Sequence, residues 1–208
     1  MKKSKIIYRK RMAALISLLS ILIAALLVFA PGNAIAQCNK LSFEIRPGVN
    51  FSTKDLGNTS LKTGVGAEGT FAYRFMPHLG VYAGWSWNRF SASQSTEATK
   101  MDFEETGYMY GLQFIHPIAD SRVSYMIKGG GTYNHIETEN SEGTVINDTG
   151  HGTGWQVGIG ASIPLGNRFN LVPEVRYRSL SRDFKSNNVT IPVDLNYISA
   201  GIGCSFTF

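Results

Sequence analysis

The chain has 208 residues, with 20 Lys+Arg against 15 Asp+Glu and a formal net charge of +5. Six of those bases and none of the acids precede residue 37, so the remainder carries 14 bases against 15 acids and is nearly neutral. That balance removes the main electrostatic argument for a nucleic-acid-binding protein, and no nucleic-acid partner is expected.

Lys2, Lys3, Lys5, Arg9, Lys10 and Arg11 come before an almost unbroken apolar run over 12–30. Pro31 and Gly32 interrupt any helix there, and Ala34-Ile35-Ala36 fits the small-x-small pattern of a cleavage site. This is the build of a secretory signal peptide over 1–36, cleaved after Ala36. An uncleaved membrane helix is the rival, because a run of ~20 apolar residues can span a bilayer. A lipoprotein signal at Cys38 is a third reading, but Gln37 stands where a lipobox requires a small residue. Residues 37–208 suggest one domain. No apolar run after the signal is long enough for a membrane helix. If this chain enters a membrane it must do so as a closed barrel, because open sheets leave backbone groups unpaired in lipid.

From there the hydrophobic period is 2, the period of strands. Trp155, Val157, Ile159, Ala161, Ile163 and Leu165 alternate with Gly154, Gln156, Gly158, Gly160 and Ser162. Leu79, Val81, Ala83, Trp85 and Trp87 alternate in the same way with Gly80, Tyr82, Gly84, Ser86 and Asn88. Eight such segments are predicted, at 41–52, 63–75, 79–91, 102–116, 122–137, 152–165, 169–183 and 191–208. The connections alternate between short turns and longer polar loops at 53–62, 92–101, 138–151 and 184–190. That asymmetry belongs to outer-membrane barrels. Ten rises of ~3.3 Å from Trp155 to Leu165 give about 33 Å, enough to cross a ~25 Å apolar band at the usual tilt. The predicted fold is all-β, an eight-stranded antiparallel up-and-down transmembrane β-barrel. A sandwich with an aromatic core is the soluble alternative.

Charge decides which face is which. Glu44, Arg46, Glu68, Arg74, Lys128, Glu174, Arg176 and Arg178 lie opposite the apolar residues of their strands. A charge facing mid-bilayer lipid costs ~2–4 kcal/mol, so in a membrane these eight must face the lumen. Gly66, Gly84, Gly158 and Gly160 share that face, and small residues beside charges suit a narrow interior filled by side chains. The eight charges are read as a structural ion-pair plug, with a polar gate or narrow ion path as the alternative. Outward aromatics such as Phe75, Trp85, Trp87, Tyr108, Tyr133 and Trp155 suit interfacial girdles.

The last strand steps back by two from Phe208 through Phe206, Cys204, Ile202, Ala200 and Ile198. An amphipathic final strand ending in Phe resembles the recognition element of the barrel-assembly machinery, with Ile202, Phe206 and Phe208 as its residues. Residues 38–208 as a whole resemble the small eight-stranded outer-membrane barrel superfamily that includes OmpA and OmpX. The resemblance implies a Gram-negative outer membrane, the lipid bilayer as environment, and both termini in the periplasm. It also implies a structural, adhesive or surface-interaction role, with a ligand met by the outer loops. A narrow pore for small solutes is the runner-up. A lipid-modifying enzyme is the third reading, because some small barrels of this kind deacylate or acylate lipid A. Its His-x-Ser pair is not matched by His135-Ile136-Glu137 or His151-Gly152-Thr153, so no catalytic residues are assigned.

No cofactor is expected, and no metal site, since neither His-x-x-x-His spacing nor a Cys/His cluster occurs. Glu137, Glu139, Glu142 and Asp148 make the loop around 137–148 acidic, which suits a cation, a partner or plain solvation. Cys38 and Cys204 could form one disulfide in an oxidising compartment. Against that pairing, Cys204 has outward parity.

Overall fold

The computed structural model describes residues 40–56, 59–93, 101–140, 142, 144–186 and 189–208. The segment 1–36 and Cys38 lie outside these residues. Among the described residues nine strands follow in chain order: β1 (Leu41–Ser52), β2 (Gly64–Arg74), β3 (Leu79–Ser91), β4 (Asp102–Pro117), β5 (Ser124–Glu139), β6 (Val145–Asp148), β7 (Gly152–Pro164), β8 (Phe169–Ser186) and β9 (Val189–Thr207). No helix occurs among the described residues.

Eight of the strands form a ring. The neighbour order is β4-β3-β2-β1-β9-β8-β7-β5, and β4 pairs with β5 to close it. Every pairing is antiparallel. Closure leaves no free edge in the ring, which is what a lipid environment demands of a sheet. The short β6 stands outside the ring and, among the described residues, pairs only with the end of β5, above the point where β7 leaves it.

Two of the four long connections differ from expectation. The stretch 138–151, expected as loop, contains β6, and 184–190 is largely taken up by β8 and β9 continuing their ladder. Hydropathy marks only the part of a strand that meets lipid or core. Backbone pairing continues past it at no such requirement, so polar composition hid these extensions.

The β1 start and the β9 end lie together, with the Phe208 N–H donating to the Leu41 carbonyl at 3.0 Å. The short connections around 75–78, 118–123 and 165–168 are at this same end, the turn end. The long connections make the opposite, loop end.

Alternation sets two faces along each strand, as the pleat requires. Ile45, Val65, Tyr108, Trp155, Ile159 and Ile202 are exposed on the outside. Glu44, Glu68, Lys128, Glu174, Arg176 and Arg178 are buried inside. This is the inverse of a soluble protein, in which charge is outside and apolar surface is hidden.

Candidate functional site

The lumen is filled in layers, and the inward residues of β8 sample them in turn. At the turn end, Val172 helps line a cavity of about 30 Å³ with Ser42, Thr70, Gln113 and Ser205. That is room for roughly one water.

Glu174, Arg176 and Arg178 open the next layer. Arg46 bonds Glu174 at 2.7 Å and also pairs with Glu68. Lys128 reaches Glu44 at 3.0 Å and Glu174 at 3.1 Å. Arg176 reaches Glu68 at 2.9 Å and also pairs with Glu174. Arg178 reaches Glu68 at 2.9 Å and Glu105 at 3.2 Å. Four cations thus meet four carboxylates drawn from β1, β2, β4, β5 and β8. Burying an unpaired charge costs several kcal/mol, so a closed and electrically balanced network is the condition for keeping eight charges inside. Neutral groups complete it: Arg178 donates to Gln156 at 2.9 Å and to Ser86 at 3.0 Å, and Gln156 donates to the Tyr82 hydroxyl at 2.9 Å.

Seven of the eight predicted lumen charges belong to this cluster. Arg74 has the inward parity but sits half-buried at the turn end, six residues along β2 from Glu68, or about 20 Å. Glu105 was not predicted. It is fully buried and accepts from Arg178, from the Tyr197 hydroxyl at 2.9 Å, from Asn88 and from Asn134. The signal for it was available, because Tyr108 and Tyr110 fix the outward phase of β4 and so turn Glu105 inward.

The room for this layer comes from glycine. A Cβ on Gly158 would lie 2.8 Å from Glu174 Oε1, and one on Gly203 would lie 2.8 Å from Glu44 Oε1.

Above the ions the lumen turns apolar, a layer that the ion-pair reading of the eight charges did not include. Phe90, Phe103, Ile136, Leu180, Val193 and Leu195 form a buried cluster, with Leu56 and Ala92 from the loops packed into it. Tyr197 joins the layers: its ring packs against Phe90 at 5.2 Å while its hydroxyl donates to Glu105. Alternation gives these residues inward parity, with Leu180 two positions along β8 from Arg178, but it does not show that residues of five strands and two loops meet in one layer. Arg182 finishes the loop end by donating to the carbonyls of Asn134 at 3.1 Å and Thr153 at 2.8 Å.

The outer wall at the loop end carries acids above the aromatic girdle. Arg89 engages Asp102 at 2.6 Å, Glu104 at 3.2 Å and Glu139 at 3.6 Å. Next to them, Glu137 on β5 lies directly opposite Asp148 on β6. His135 Nδ1 is 3.2 Å from Asp148 and 3.6 Å from Glu137. The His135 ring stacks on His151 with centroids 4.4 Å apart, and Tyr133 lies 5.2 Å beyond His151.

At the turn end, Ile202 is exposed, and Phe206 packs on Phe169 and Phe208, each at 5.1 Å. Cys204 is an exposed free thiol on the outer face. Its suggested partner, Cys38, lies outside the described residues.

A closed eight-stranded antiparallel barrel, apolar outside and charged within, is the architecture of an integral outer-membrane protein. The family model for the outer membrane protein beta-barrel domain matches residues 21–206, and the chain belongs to that family. Among solved structures it is similar to Neisserial surface protein A, with a TM-score of 0.57 and 12% identity over 82% of this chain and 97% of that one. It is also similar to the outer membrane protein OprG from Pseudomonas aeruginosa, with a TM-score of 0.51 and 14% identity over 82% and 98%. The outer membrane protein AlkL, solved in DMPC lipid bilayers, gives a TM-score of 0.51 and 15% identity over 83% and 92%. At these identities the likeness is one of fold. A comparison with curated proteins finds no significant match.

Proposed function

We propose that this outer-membrane barrel acts through its loop end, as a structural or surface-interaction protein, and not by conducting solutes. The observation that carries this reading is the double filling of the lumen. An ion-pair layer is backed by an apolar layer, and the side chains of both are almost wholly buried. Flow would require breaking buried charge pairs and then passing through packed phenyl and leucine groups.

In this reading the turn end, where both described chain ends meet, faces the periplasm and the loop end faces outward. The short-turn and long-loop asymmetry supports that orientation. The segment 1–36 is removed on export, as its sequence suggests. Ile202, Phe206 and Phe208 serve assembly, as their outward parity at the end of the last strand suggests. No catalytic role is proposed.

Planar-bilayer recording tests the main claim. The purified barrel is expected to be silent, and steady single-channel steps would establish the narrow pore in its place. Protease treatment of intact cells tests the orientation: cleavage is expected within 140–144, with 118–123 protected.

A further inference from the structure

We propose that His135, Glu137 and Asp148 form a binding site for a divalent cation of the zinc class on the outer wall of the barrel. Three observations carry it. First, period 2 on β5 puts His135 and Glu137 on the same outward face, and the register places Asp148 of β6 opposite Glu137. Three potential ligands therefore converge from two strands, with ligand atoms all within 4.8 Å of one another.

Second, the spacing fits a small tetrahedral ion. Bonds of ~2.0–2.1 Å to imidazole nitrogen and carboxylate oxygen place neighbouring ligand atoms about 3.3 Å apart. The distances from His135 Nδ1, 3.2 Å to Asp148 and 3.6 Å to Glu137, bracket that value. One imidazole with two carboxylates suits zinc-class ions, whereas Ca²⁺ would want six or more oxygens. Three protein ligands leave a fourth position, and Asp148 is about half-exposed, so that position opens to solvent.

Third, the electrostatics favour a cation here. Like charges directly opposite across a ladder are destabilising, and Glu137 and Asp148 are such a pair. Arg89 is engaged with the adjoining acids Asp102, Glu104 and Glu139. A divalent ion between Glu137 and Asp148 relieves the repulsion and uses the His135 nitrogen already aimed there. Asp148 is further held by the Gly150 N–H at 2.8 Å. His151 is a positioning residue: stacked within 14° of parallel, it fixes the plane of the His135 ring, in which the ion must lie.

The barrel supplies its own control. His78 and His116 also lie together, tilted with centroids 4.6 Å apart, but their Nδ1 atoms lie against the carbonyls of Ile115 and Pro117 and not against carboxylates. The test is calorimetric titration of Zn²⁺ into the full barrel in detergent micelles, purified without a polyhistidine tag. Folding of each variant is checked by heat-dependent gel mobility, and Co²⁺ absorption serves as a second readout. One saturable equivalent is expected. It should be lost in His135→Ala and in Asp148→Asn, weakened about tenfold in His151→Ala, and unchanged in His78→Gln. The tetrahedral Co²⁺ bands should vanish with His135→Ala. Absence of saturable uptake would overturn the proposal, leaving His135 as a hydrogen-bonding partner of two carboxylates. Uptake that survives both ligand substitutions, or falls equally in His78→Gln, would overturn it as well.

Discussion

Glu105 shows how much one side chain can carry in a filled lumen. Its carboxylate takes bonds from Arg178, Tyr197, Asn88 and Asn134 in a space without bulk water. Replacing it with Leu leaves four buried cations facing three carboxylates, with Arg178 still held by Glu68 but short of one partner; breaking a buried pair in this way typically costs about 3–5 kcal/mol. Chemical unfolding of Glu105→Leu in micelles should show a loss of that size. The double variant Glu105→Leu/Arg178→Met should recover a large part of it, because an apolar replacement of both partners removes the desolvation term. Gly158 makes the complementary point about space. Gly158→Val would drive a side chain toward Glu174 Oε1 from a Cβ only 2.8 Å away. Overpacking of that kind costs about 1–3 kcal/mol, readable in the same unfolding experiment.

The single strand shows what lipid does to sequence. On β7, Trp155, Val157 and Ile159 are exposed while Gln156 and Gly158 are buried. In water such a strand would be inside out. Ile159→Arg should therefore lower the stability of the barrel refolded into lipid vesicles by about 2–4 kcal/mol, as expected for a charge at mid-bilayer. Val145→Arg is the matched control. Val145 is also an exposed apolar residue, but it lies on β6, in the hairpin beyond the barrel ring. It should cost little by the same measurement. The β5–β6 hairpin thus obeys hydrogen-bonding rules without obeying the lipid rule, which is how polar and ligand-bearing residues come to stand on it.

Two layers of different chemistry close the lumen of the whole molecule. Phe90→Ala/Leu195→Ala would thin the apolar layer, yet the ion layer beneath it remains. The double variant should stay silent in planar bilayers, and channel steps would show that the apolar layer is the real barrier. The ion layer also ties the cylinder together across its diameter, since Lys128 on β5 bonds Glu44 on β1. Such bonds oppose flattening of the barrel, which hydrogen bonds along the wall cannot do alone.

The short β6 was not legible in the amino-acid pattern, but eight ring strands, their approximate limits and the inward face of seven charged residues were. These are local consequences of a two-residue period read against a solvent that penalises charge. Glu44, Arg46, Glu68 and Lys128 could be placed inside on that ground alone. Only the tertiary structure decided which of them meet. Partners across a closed lumen are set by strand stagger and curvature, and Lys128 and Glu44 are 84 residues apart. The apolar layer around Ile136 and Leu195 was equally out of reach as a layer, because parity turns each residue inward without saying which inward residues of distant strands share a level. The His135, Glu137 and Asp148 cluster needed β6, a strand whose polar sequence reads as loop and whose place is fixed only by pairing with β5.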